Sequence, residues 1–144
     1  MSLLEIIYRF FLASILGGII GAERSFFKKQ AGLRTFSLVA LAACLFSYLG
    51  YKYSFLDPAS TSRIIANLVV GIGFLGAGLI FLKEEKILGL TTAAALWVTA
   101  AIGGAVGLGF YFEAFLTTVI TVMILTLWHY IEEFIKKDKK NEDI

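Results

Sequence analysis

Residues 64–82, IIANLVVGIGFLGAGLIFL, run for 19 residues without a charge. A helix rising 1.5 Å per residue needs about that length to cross a hydrocarbon layer roughly 30 Å thick. In lipid a spanning segment must close its backbone hydrogen bonds internally, so glycines that would weaken a water-exposed helix are tolerated, and they let neighbouring helices approach closely. At 100° per residue Asn67, Gly71 and Gly78 share one face, and Gly73 and Gly76 lie nearly opposite. Two notched faces predict neighbours on both sides. A charged turn, Lys83-Glu-Glu-Lys86, separates this span from a second one of like construction, in which Thr92, Ala95, Thr99 and Gly103 form a small, weakly polar ridge. The expectation is a helical bundle with these two spans at its centre.

The rest of the chain agrees with a membrane reading. Of its residues 58% are hydrophobic and the mean hydropathy is +0.82, which excludes an ordinary soluble domain. One proline and one cysteine exclude a disulfide scaffold. Cys44 falls within a span and reads as a packing residue. The first apolar run lacks a basic leader and a small-residue cleavage site, so it is expected to be a retained helix.

Five spans are legible. The first, about residues 3–22, carries Glu5 and Arg9 at the i,i+4 spacing of a helical ion pair. It also carries two small ridges, Ala13-Gly17-Gly21 and Ser14-Gly18-Ala22. The second covers about 35–50. Asp57-Pro58 then predicts a turn, with Ser60, Thr61 and Ser62 as candidate N-caps for the third. The fourth starts near Thr91 and ends in a tight turn among Gly103, Gly104, Gly107 and Gly109. The fifth covers about 111–130 and finishes in the interfacial group Trp128-His129-Tyr130. A charged tail, residues 136–144, is expected to be cytoplasmic, disordered and solvated, beyond a membrane domain of residues 1–135.

Basic residues set the orientation. Arg24, Lys28, Lys29 and Arg34, then Lys83 and Lys86, then Lys136, Lys137, Lys139 and Lys140 all belong to one side, against Lys52 and Arg63 on the other. By the positive-inside rule the N-terminus lies outside and the C-terminus inside. The expected class is therefore an all-α, multi-pass bundle of about five transmembrane helices.

A set of ordered fragments narrows this further. Gly21-Ala-Glu23-Arg24, Ala31-Gly-Leu-Arg34-Thr35, Asp57-Pro58, Arg63, the run from Gly71 to Gly78, and Gly89-Leu-Thr91-Thr92-Ala93 with Leu96-Trp97 resemble the membrane domain of the MgtC/SapB family. The resemblance covers the chain to about Tyr111. It implies an inner-membrane protein tied to adaptation to low magnesium or other stress and, in pathogens, to survival in host cells. It also implies regulation by contact with another membrane protein, such as the proton-translocating ATP synthase. Many members carry a further cytoplasmic domain of the ACT type, for which this chain is expected to be too short. Asn67 stands where Gln is usual in the family, and Leu88 where Arg often precedes Gly-Leu-Thr-Thr.

The resemblance gives candidate functional roles to Glu23, Arg24, Arg34, Asp57, Arg63, Asn67, Thr91 and Thr92, and the small-residue spacing gives helix-packing roles to Gly17, Gly21, Gly71, Gly73, Gly76 and Gly78. Glu23, Arg24 and Arg34 read as an interfacial ion-pair cluster, or else as a partner or cation site. Glu5, Asp57 and Glu113 would share the outer surface, and carboxylates suit magnesium. Asp57, inside the matched Asp-Pro pair, is the candidate ligand. Against this, Arg9 can neutralise Glu5 and Arg63 can neutralise Asp57. Asn67 reads as a hydrogen-bonding contact to another helix. One cysteine and one distant histidine supply neither a nucleophile–base pair nor a metal cluster, so no enzyme and no resident cofactor is expected. The expected partners are the bilayer, another membrane protein and a second copy of the chain docked on the Ala13-Gly17-Gly21 ridge, with no nucleic acid. The alternative is a magnesium or other cation transporter or channel. A carrier calls for ionisable groups in mid-membrane, whereas the charges of spans two to five crowd the two surfaces.

Overall fold

The computed structural model describes residues 2–83 and 85–142, with side chains through residue 131. Its elements in order are α1 (Leu3–Phe26), α2 (Leu33–Tyr53), α3 (Ser60–Gly78), β1 (Phe81–Lys83), β2 (Lys86–Leu88), α4 (Leu90–Leu108) and α5 (Tyr111–Glu142). Among the described residues five helices are long and apolar enough to cross a membrane, the last over Tyr111–Ile131. The fold is an all-α membrane bundle.

Local chemistry explains most of the boundaries. Ser2 caps α1 by accepting the Glu5 N–H on its hydroxyl. α4 continues through Gly103, Gly104 and Gly107, which were expected in the turn, and reverses into α5 only at Gly109, whose φ of +93° suits glycine. Before α3 the expected hydroxyl cap is not used. Ala59 occupies the N-cap position, and Asp57 Oδ1 accepts the Ala59 N–H at 3.0 Å instead. Ser60 turns its hydroxyl to the Gly50 carbonyl of α2, at 2.8 Å.

Two further boundaries depart from the sequence reading. The charged turn after α3 is the tip of a small antiparallel hairpin pairing Phe81 with Leu88, Leu82 with Ile87 and Lys83 with Lys86. Glu85 takes a positive φ of 64°, the left-handed conformation that a tight hairpin turn requires. α5 does not stop at Tyr130 but runs to Glu142, through a stretch with no Gly or Pro that is rich in the good helix formers Glu and Lys. The expected roles of the tail lysines fall outside the described side chains.

The core is a seam between α2 and α4, closed on its other side by α1. A Cβ at Gly103 would fall on the Ala40 carbonyl, and one at Gly107 on the Cys44 carbonyl, so the two backbones touch. The Gly17 Cβ position is 2.6 Å from both the Ala40 side chain and the Phe36 carbonyl, which brings α1 equally close. Thr92, Ala95, Thr99 and Gly103 are all buried, as their ridge predicts. Two buried hydroxyls are satisfied within their own helices, Thr99 on the Ala95 carbonyl and Thr118 on the Ala114 carbonyl, both at 2.8 Å, whereas the buried Ser47 hydroxyl has no partner among the described residues.

Two packing expectations are corrected. α4 is central, but α3 is peripheral, with only Ile72 and Gly76 buried among its residues. Nothing lies within 4 Å of a Cβ placed at Gly71, Gly73 or Gly78, and Gly76 meets Ala93 only at 3.7 Å. Glycine permits close approach without attracting a neighbour. α2 and α4 match small residue to small residue, whereas clefts of about 540 and 290 Å³, with Phe46 and Trp97 among their lining residues, lie between α3 and its neighbours α2 and α4. The second correction concerns α1: its Ala13-Gly17-Gly21 ridge is buried against α2 and is not open to a second copy.

Candidate functional site

Polar side chains gather at the two ends of the bundle. At the end where α1 begins, Arg9 is only 7% exposed. Its Nη1 donates to the Gly107 carbonyl at 2.7 Å and its Nη2 to Glu5 Oε1 at 2.9 Å. The guanidinium carbon stands 5.6 Å from the centre of the Tyr111 ring, and Tyr8 meets that ring edge-on at 5.7 Å. The Gly107 carbonyl belongs to the last turn of α4, where helical acceptors have no intrahelical donor. One side chain of α1 thereby holds both α4 and the start of α5. Its own carbonyl accepts the Cys44 thiol hydrogen of α2 at 3.7 Å.

At the same end Asp57 pairs with Arg63, both of them partly or fully exposed. Glu113 is exposed on the first turn of α5. Among the described residues no three of His, Cys, Asp and Glu come together as a metal would need. Each of Glu5 and Asp57 faces an arginine, which leaves little negative charge for a hard cation.

The opposite end holds Glu23 and Arg24. Arg24 is 2% exposed and grips Glu23 with both arms of its fork: Nη2 to Oε1 at 2.6 Å and Nε to Oε2. Two parallel charge-assisted bonds of this kind fix geometry as well as charge. Arg34, expected beside them, is exposed and forms no ion pair among the described residues. Thr92, 2% exposed at the start of α4, donates its hydroxyl to Gln30 Oε1 at 3.1 Å, while Thr91 is exposed. Ser25 accepts the Leu33 N–H at 3.1 Å and so ties the end of α1 to the start of α2. His129 packs edge-on against Phe27, ring centres 4.4 Å apart, within an aromatic group that includes Tyr130.

Asn67 is corrected. It does not reach another helix; it lies exposed on α3 and its Nδ2 donates to the Arg63 carbonyl of its own helix at 2.9 Å. Two features escaped the sequence reading. Arg9 was legible as the partner of Glu5, but its bond to Gly107 spans 98 positions in sequence and no local pattern announces it. Gln30 reads as an ordinary loop residue until the fold sets it beside Thr92.

The arrangement offers two buried arginines at the two ends of an apolar bundle, each neutralised by a neighbouring carboxylate, of which Arg9 braces α1 against α4. It assembles no nucleophile with a base among the described residues.

The MgtC family matches residues 10–134 of the chain. YhiD of Escherichia coli K12, whose name proposes magnesium transport, is 44% identical over 132 residues, 87% of this chain and 61% of that protein. Protein MgtC of Brucella abortus strain 2308 is 44% identical over 115 residues, 80% of this chain and 48% of that protein. Protein MgtC of Salmonella typhimurium LT2 is 43% identical over 120 residues, 83% and 51% respectively. The chain thus spans about half to three fifths of the length of these curated relatives. No solved structure matches it. With the family's pattern extending across nearly all of the five-helix bundle, this chain is a member of the MgtC family.

Proposed function

We propose that this chain is a non-enzymatic regulator of the cytoplasmic membrane, acting by contact with another membrane protein during adaptation to low magnesium or another stress. The observation that carries the reading is the state of its buried charges. Arg9 and Arg24 are both neutralised inside the fold, by Glu5 and Glu23, and Arg9 also ties α1 to α4 through the Gly107 carbonyl. A carrier needs ionisable groups that face a water-filled path and exchange partners with the ion. The large clefts here are apolar, lined by residues such as Leu68, Ile72 and Trp97. The proton-translocating ATP synthase is the first partner to test, on the strength of the family resemblance.

The alternative, magnesium transport, draws on the name given to the YhiD relative and on Asp57. One reconstitution separates the two. Purified protein in liposomes with a magnesium-sensitive dye inside should show no flux above empty vesicles. Added to vesicles containing ATP synthase, it should slow ATP-driven acidification. Flux that saturates with external magnesium and disappears in Asp57→Asn establishes the transporter reading instead.

A further inference from the structure

The faces that the bundle turns to lipid are not alike. α1 exposes Leu4, Phe11 and Ile15, and α5 exposes Phe112, Phe115 and Leu127, the large side chains that suit acyl chains. α3 exposes Asn67, Val70, Gly71, Phe74, Ala77 and Gly78. Lipid gains little contact from glycine, while a second helix gains a close approach there.

Asn67 sharpens the contrast. It lies seven residues into α3, about 10 Å along the helix, well within the apolar span. One amide hydrogen goes to the Arg63 carbonyl; the other, and the Oδ1 acceptor, have no partner among the described residues. Hydrocarbon offers neither donor nor acceptor, so an amide on this face is costly unless a protein covers it.

We propose that this face of α3 is where a second copy of the chain docks, with Asn67 pairing to the same residue of that copy across a two-fold axis along the membrane normal. A primary amide carries donor and acceptor together and is therefore its own complement. Two copies in one membrane share a topology, so the same residue arrives at the same depth, and an isologous contact closes with two subunits. Gly71 and Gly78 lie on the same side of the helix as Asn67, with nothing within 4 Å of either Cβ position, and leave hollows about one turn to either side of Phe74. Phe74, 82% exposed, stands between them. The cleft of about 540 Å³ between α2 and α3 borders Asn67 and Gly71 and leaves room for a side chain of the incoming copy. This replaces the ridge of α1, which α2 already fills. It goes beyond the regulatory reading and does not depend on it, because purified protein alone suffices to test it.

The test uses the full chain in a Cys44→Ser background. Phe74→Cys should give a disulfide-linked dimer on mild oxidation, both in native membranes and in liposomes of purified protein, and Ile120→Cys on the lipid face of α5 should not. Energy transfer between labelled copies at rising lipid dilution reports association without a cross-link. Asn67→Leu should weaken it roughly 3- to 30-fold, Asn67→Gln should preserve most of it, and Gly71→Leu should abolish it while thermal unfolding of the monomer stays unchanged. Equal cross-linking at positions 74 and 120 overturns the proposal. So does wild-type association of Asn67→Leu, or a monomer at every lipid dilution, the result expected if the face serves a helix of a different protein.

Discussion

Arg9 of α1 donates to the Gly107 carbonyl of α4 at 2.7 Å, and the same guanidinium holds Glu5 one turn earlier on its own helix. Two elements far apart in sequence meet through one buried cation. The bond to Gly107 also supplies a donor to a helix terminus that would otherwise present a bare acceptor to an apolar interior.

Arg9→Met should therefore lower the stability of the purified protein by about 2–4 kcal/mol, the cost of removing charge-assisted bonds and leaving the Gly107 acceptor and the Glu5 carboxylate unpaired. Glu5→Gln, at the more exposed partner, should cost less than half as much. Thermal unfolding in a mild detergent measures both, and equal effects of the two changes would mean that the Gly107 bond contributes nothing.

The glycines of α4 and α3 should respond in opposite ways to a methyl group. Gly103→Ala and Gly107→Ala place a Cβ on the Ala40 and Cys44 carbonyls and must push α2 and α4 apart, at a cost of about 1–3 kcal/mol or more. Gly73→Ala and Gly76→Ala meet open space or an ordinary 3.7 Å contact and should be neutral or stabilising, by up to about 1 kcal/mol through better helix propensity. Denaturation midpoints of the four variants decide the matter. A destabilised Gly73→Ala would put α3 in the core after all.

Thr92→Val should loosen the loop between α1 and α2. The hydroxyl bond to Gln30 is worth roughly 1 kcal/mol, and its loss should appear as faster amide hydrogen exchange over residues 28–32, with α2 and α4 unaffected. Unchanged exchange in that loop would show that Ser25 and the backbone bonds alone hold it.

The orientation proposed from the distribution of basic residues can be tested directly. In a Cys44→Ser background, Ser2→Cys should react with an impermeant thiol reagent in intact cells and Asn141→Cys only after the membrane is opened. The reverse pattern would invert the proposed topology.

The membrane class, the five spans, the i,i+4 pair of Glu5 and Arg9 and the tight turn at Gly109 were all open to a sequence reading, because each depends on residues close in the chain. Hydropathy integrates over one helix, the ion pair over one turn, and a left-handed glycine over a single φ. The ordered motifs likewise carried the family. Which glycines are buried depended on something else. Residues 71–78 and the glycines of α4 have the same local signature, but burial depends on what faces them. Ala40 and Cys44 meet Gly103 and Gly107, whereas apolar clefts lie between α3 and its neighbours α2 and α4. Such complementarity is a property of pairs of helices and has no one-dimensional trace. The same reason hid the reach of Arg9 to Gly107 and of Thr92 to Gln30: a hydrogen bond across 98 or 62 positions exists only once the helices are stacked, and only the tertiary structure decides which acceptor a buried donor finds.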